Sequence, residues 1–160
     1  MKTVNRLYPG MLWAVSLCVF FSCDDGGGQG ETGSDTYAEI RHACVDKING
    51  YRETIGLAAY SRWTDGEACA DSQAAADAKA DAAHSAFGNC HESAQNECPA
   101  WGSLNQILSG CLQMMWDEGP GSDFELHGHY LNMASTNYTS VACGFYTAPD
   151  GSIWSVQNFK

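Results

Sequence analysis

The chain has 160 residues, 8 Lys+Arg against 19 Asp+Glu, and a formal net charge of −11. That length suits one domain rather than two. The acidic balance excludes nucleic acid or an anionic membrane surface as main partner, because phosphates repel it. Eight cysteines exceed what a reduced cytosolic enzyme carries without a metal cluster, so the composition points to export.

Residues 1–23 read as a targeting segment. Lys2 and Arg6 supply a positive start, and Met11 to Phe21 is an apolar run of 11 residues, too short to span a bilayer. The run ends at Phe20-Phe21-Ser22-Cys23, which resembles a bacterial lipoprotein signal with a small residue before a cysteine to be acylated. The expectation is a lipid anchor on Cys23 and a place in the bacterial cell envelope; the alternative is a plain signal and a secreted protein. Residues 24–36, with Gly26, Gly27, Gly28, Gly30 and Gly33 among acidic residues, read as a flexible tether. The domain then occupies residues 37–160.

Cys18 leaves with the signal and Cys23 is the acylation site, so six cysteines remain in the domain: Cys44, Cys69, Cys90, Cys98, Cys111 and Cys143. An even number in an exported domain predicts three disulfides. With no Cys-x-x-Cys pair, a zinc ribbon is disfavoured. Cys90 and Cys98 enclose seven residues and are the expected local pair; the other two bridges stay open.

Tyr37 to Ile55 is predicted as a helix, with Ile40, Cys44, Ile48, Tyr51 and Ile55 on one stripe and Gly56 as its stop. Thr64-Asp65-Gly66-Glu67 reads as a capping box opening an alanine-rich helix that runs to about His84. Ser85 to Gly102 is expected to be a disulfide-pinned loop. Ser103-Leu104-Asn105-Gln106 opens a third helix, with Ile107, Leu108, Cys111 and Met115 on its apolar stripe. A Gly/Pro turn region follows, then predicted strands over His127 to Met133, Val141 to Thr147 and Ile153 to Phe159. Three helices before three strands predict an α+β domain, helices packed on an antiparallel sheet. Trp63, Trp116, Trp154 and Phe145 are assigned to the core, while Tyr130 and Trp101 are not.

Asn49-Gly50-Tyr51-Arg52, then Gly56-Leu57 and Trp63, resemble the opening of the CAP superfamily, which takes in cysteine-rich secretory proteins, antigen 5 and pathogenesis-related type 1 proteins. His84-Ser85, Asn96-Glu97, Trp116-Asp117-Glu118, Gly128-His129-Tyr130 and Ala142-Cys143-Gly144 follow in the family's order. Leu131, Asn132 and Ala134 depart from the family's usual residues, and the loop at Gln95-Asn96-Glu97-Cys98 lacks its glycine. The resemblance covers roughly residues 38–160 and implies a three-layer α-β-α sandwich with a central cleft. Carried over residue by residue, it implies a tetrad of His84, Glu97, Glu118 and His129.

Two imidazoles suit a divalent cation, zinc foremost, and two carboxylates can orient the rings as acceptors. The expected roles are therefore His84 and His129 as metal ligands, with Glu97 and Glu118 behind them. His127, two residues before His129, would share its side of a strand and offers an alternative ligand; His91-Glu92 reads as solvated. The favoured function is a cleft-based binding module for a small molecule, lipid or protein. The alternative is a metal-dependent hydrolase using the same tetrad, for which no Gly-x-Ser-x-Gly or His-Glu-x-x-His motif speaks.

Overall fold

The computed structural model describes residues 35–160. The targeting segment, most of the tether and Cys23 lie outside the described residues. Helix α1 is Ala38–Thr54, and its buried Cys44, Val45, Ile48 and Tyr51 follow the predicted stripe. Gly56 adopts φ +73, the left-handed stop that glycine provides after a helix. Strand β1 is the short Ser61–Arg62 and helix α2 is Thr64–Ala80. Thr64 does not cap α2, since the cap position falls on Trp63 and makes no side-chain bond. The helix stops at the left-handed Asp81, short of His84.

Strand β2, Ala94–Trp101, occupies the region expected to be a loop. The third helix, α3, is continuous through Leu104–Gln106, a π-type turn Ile107–Cys111, and Leu112–Asp117. Ser103 caps it as predicted, accepting the Gln106 N–H. Helix α4, Phe124–Ala134, replaces the strand expected over His127 to Met133. Asp123 accepts the Glu125 N–H at its start, and Gly128, Asn132 and Met133 bury one helical face. Strands β3, Ser140–Thr147, and β4, Ile153–Phe159, match the sequence reading. Helices and strands are thus interleaved rather than segregated.

The sheet order is β1-β3-β4-β2, with β1 parallel to β3 and the other pairs antiparallel. Val141, Cys143 and Phe145 point to a core shared with α1, α3 and α4, while Trp154 and Val156 meet Ala70 and Ala74 of α2 on the opposite face. These are the three layers. Gly144 lets α2 lie on the sheet: a Cβ there would come within 2.2 Å of the Ala70 carbonyl carbon.

The three bridges are Cys44–Cys143, Cys69–Cys90 and Cys98–Cys111, so the expected Cys90–Cys98 pair is wrong. Cys98 lies on β2, where it is carried to α3, whereas Cys90 precedes the strand and meets α2. Three disulfides mark an exported domain. The Asn-x-x-Arg motif ties α1 to its surroundings. Asn49 exchanges two hydrogen bonds with the Tyr60 backbone, and buried Arg52 donates to Ala58, Met133 and Ser135 carbonyls.

Candidate functional site

Edge strand β2 has a helical layer on each side, and each layer delivers one histidine to it. His84 follows α2, and its backbone sits at φ 60, a left-handed conformation uncommon for a residue with a side chain. His129 lies within α4, and its carbonyl accepts from Asn96 Nδ2 of β2 at 3.0 Å. The two rings stand 6.5 Å apart between centroids, inclined by 29°. Both remain partly open to solvent, with 42% and 37% of their side-chain surface exposed.

Glu118, directly after α3, holds His129. Its Oε1 accepts from His129 Nδ1 at 2.5 Å, and Oε2 accepts the backbone N–H groups of His129 and Tyr130. A carboxylate with three donors is a fixed acceptor, which leaves His129 Nε2 as the nitrogen with a lone pair. Trp116 steadies this corner from the preceding turn, lying between Tyr51 at 5.2 Å and Tyr130 at 4.6 Å. Tyr130 therefore belongs to an aromatic stack, and Trp101 covers Gly110 against the core; neither is a free ligand platform.

Glu97 does not orient the His84 ring. Its Oε2 accepts the His84 backbone N–H at 2.5 Å and lies 3.7 Å from the ring nitrogen. The ring's Nδ1 is instead 2.8 Å from Gln95 Oε1. Sequence reasoning missed Gln95 because it looked for a carboxylate. No local pattern marks it, since its place is set by Gln73 and Asn158, distant in sequence.

The Glu97 side chain is fully buried. Burial, joined by the charge and hydrogen bond of the neighbouring Asp77 and opposed by the His84 N–H, pushes its carboxyl up to about 8. Glu97 Oε1 and Asp77 Oδ2 are buried with no hydrogen-bond partner among the described residues, and a proton on Glu97 directed at Asp77 would satisfy both. Asp77 Oδ1 accepts the Ser85 hydroxyl and the Ala86 N–H.

His127 is not an alternative ligand beside His129. Residues two apart on a helix point to different sides, and His127 Nδ1 is bound to the Glu118 and Gly119 carbonyls. Glu92 is buried rather than solvated, accepting from Gln73, Gly88 and Cys90, while His91 beside it is exposed. Among the described residues, no three His, Cys, Asp or Glu side chains form a ready-made metal site. What the structure brings together is two imidazoles, each with Nδ1 committed and Nε2 free. A cavity of about 290 Å³ opens beside His84, lined largely by apolar groups including Phe87, Ala94, Phe124 and Tyr138.

The family model described as CAP, the cysteine-rich secretory protein family, matches residues 45–159. Among solved structures, an outer surface protein from Borrelia burgdorferi is similar at a TM-score of 0.57 and 15% identity, over 78% of this chain and 94% of that one. Na-ASP-1 is similar at a TM-score of 0.52 and 14% identity, over 75% of this chain and 38% of that one. At such identities the likeness shows the fold alone. No curated protein matches the sequence.

Proposed function

The chain belongs to the cysteine-rich secretory protein family, CAP, and we propose that its cleft is a binding module in which His84 and His129 hold a divalent cation, zinc foremost. One observation carries this reading. Both Nδ1 atoms face oxygen acceptors, so two Nε2 lone pairs remain on rings 6.5 Å apart. Neutral imidazole nitrogen is a zinc donor, and water would complete the coordination. With only two protein ligands the site is open, so its affinity is modest beside that of a closed structural site. The cation would supply a Lewis-acidic anchor for a ligand's acceptor group. The adjoining cavity, near the lower end of small-molecule sites at about 300 Å³, would receive that ligand's apolar part among Phe87, Phe124 and Tyr138.

Binding is favoured over hydrolysis by what surrounds the histidines. The Ser85 hydroxyl is donated to Asp77, all six domain cysteines are paired, and Glu97 is poorly suited to act as a base while it holds a proton. Calorimetric titration with zinc tests the reading. Wild type should bind, His84→Ala with His129→Ala should not, and Glu118→Gln should weaken binding by about 10–100-fold. Equal uptake by wild type and the double variant would refute it. Binding should also weaken in acid, where imidazoles take up protons.

The anchoring proposal rests on the Cys23 signal and the acidic glycine-rich stretch behind it. Cys23→Ser should abolish incorporation of labelled fatty acid and release the protein from membranes. Undiminished labelling of that variant would end the lipoprotein reading.

A further inference from the structure

We propose that Gln95 is the positioning residue that fixes the tautomer of His84, and that a buried amide relay from Gln73 fixes Gln95. The functional consequence rests on the cation-binding reading above; the tautomer itself does not.

The relay begins at a backbone carbonyl, whose role admits no ambiguity. Gln73 Nε2 is 2.9 Å from the Ala86 carbonyl oxygen and 2.6 Å from Glu92 Oε1. Both are acceptors, so the Gln73 nitrogen must face them and its Oε1 must face the other way. That Oε1 meets Asn158 at 2.6 Å and Gln95 at 3.2 Å, so each presents its NH₂ group to Gln73. Gln95 Nε2 also donates to Asn158 Oδ1 at 3.1 Å. Both hydrogens of the Gln95 amide are then committed, and its oxygen is the atom left for His84 Nδ1 at 2.8 Å. Turning the Gln95 amide over would set its oxygen against two other oxygens. An oxygen acceptor at Nδ1 requires that nitrogen to carry hydrogen, so neutral His84 keeps its lone pair on Nε2.

Gln73, Gln95 and Asn158 are all buried, where an unmade hydrogen bond is costly and a satisfied network specifies one arrangement. Gln73 comes from α2, Gln95 from β2 and Asn158 from β4. The ring is therefore set by the packing of one layer on the sheet. The two histidines are oriented by different chemistry, His129 by a carboxylate and His84 by a neutral amide. An amide at position 95 spares the site a second buried charge beside Glu97 and Asp77.

Long-range proton–nitrogen NMR on ¹⁵N-histidine-labelled full chain, at a pH where the imidazoles are neutral, reads the tautomers directly. Wild-type His84 should show Nδ1–H. Gln95→Leu, similar in size but without an acceptor, should move His84 mainly to Nε2–H while His129 stays Nδ1–H, which reports an intact fold. A wild-type His84 already in the Nε2–H form overturns the proposal without any variant, and so does an unchanged tautomer in folded Gln95→Leu. Zinc titration separates the two readings. Gln95→Leu should lose about 10–100-fold in zinc affinity. Failure of wild type to bind zinc, with the tautomers as stated, removes the cation reading and leaves the relay standing.

Discussion

Glu97 is buried beside Asp77 and accepts the His84 backbone N–H, so its work is local architecture rather than charge. Its carboxyl is pushed up to about 8 by burial and by Asp77, against about 4.3 for an unfolded glutamate. The folded state therefore binds the extra proton, and its contribution to stability is fully present below the unfolded value. That contribution declines as pH rises through about 8. Thermal denaturation from about pH 5 to about pH 8.5 should show wild type losing several degrees more than Glu97→Gln, whose amide does not titrate. Parallel curves for the two proteins would remove the shared proton. The motifs holding His84, Glu118 and His129 are legible in the sequence, and the fold brings the two imidazoles to 6.5 Å between centroids. Gln95 is not legible there. Its contact with His84 depends on Gln73 and Asn158, distant in sequence, and nothing in local residue types announces an amide that replaces a carboxylate.

At the scale of elements, the periodic segments were legible and the hydrogen-bonded ones were not. Helix α1 declares itself because Cys44, Ile48 and Tyr51 bury one stripe. Strand β2 hides because Gln95, Asn96 and Glu97 are buried by hydrogen bonds rather than by apolar contact, so no hydrophobic alternation marks it. Helix α4 stands where a strand is expected over His127 to Met133, because Gly128 and the histidine, tyrosine and asparagine residues there carry little helical signal. Its evidence lay upstream, in the Asp123 cap. The mistaken Cys90–Cys98 pair follows from missing β2, since a loop would have let the two meet. The close approach of α2 to β3 gives a direct test of the layer. Gly144→Ala sets a methyl 2.2 Å from the Ala70 carbonyl carbon and 2.5 Å from Ala70 Cβ. Backbone on one side and a neighbouring Cβ on the other leave no flexible side chain to yield, so the helix must shift. The expected cost is about 1–3 kcal/mol or more, read as a lower denaturation midpoint at unchanged slope. An unchanged midpoint would mean that α2 sits farther from the sheet.

At the scale of the molecule, three bridges join its parts: Cys44–Cys143 links α1 to the sheet, Cys98–Cys111 links β2 to α3, and Cys69–Cys90 fastens the segment leading to β2 onto α2. His84 and His129 belong to separate layers, and the sheet edge between them sets their spacing. The cleft is thus a product of the whole three-layer packing, which is why the resemblance to a family made it legible when no single segment did. On the proposed function, these layers converge on one cation between two Nε2 atoms. The most direct measurement is a crystal soaked in zinc, with anomalous scattering used to locate the ion. A peak is expected between His84 Nε2 and His129 Nε2, at about 2.0–2.1 Å from each. Zinc bound only elsewhere, at His42, His91 or His127, with the space between His84 and His129 holding no anomalous peak, would contradict it.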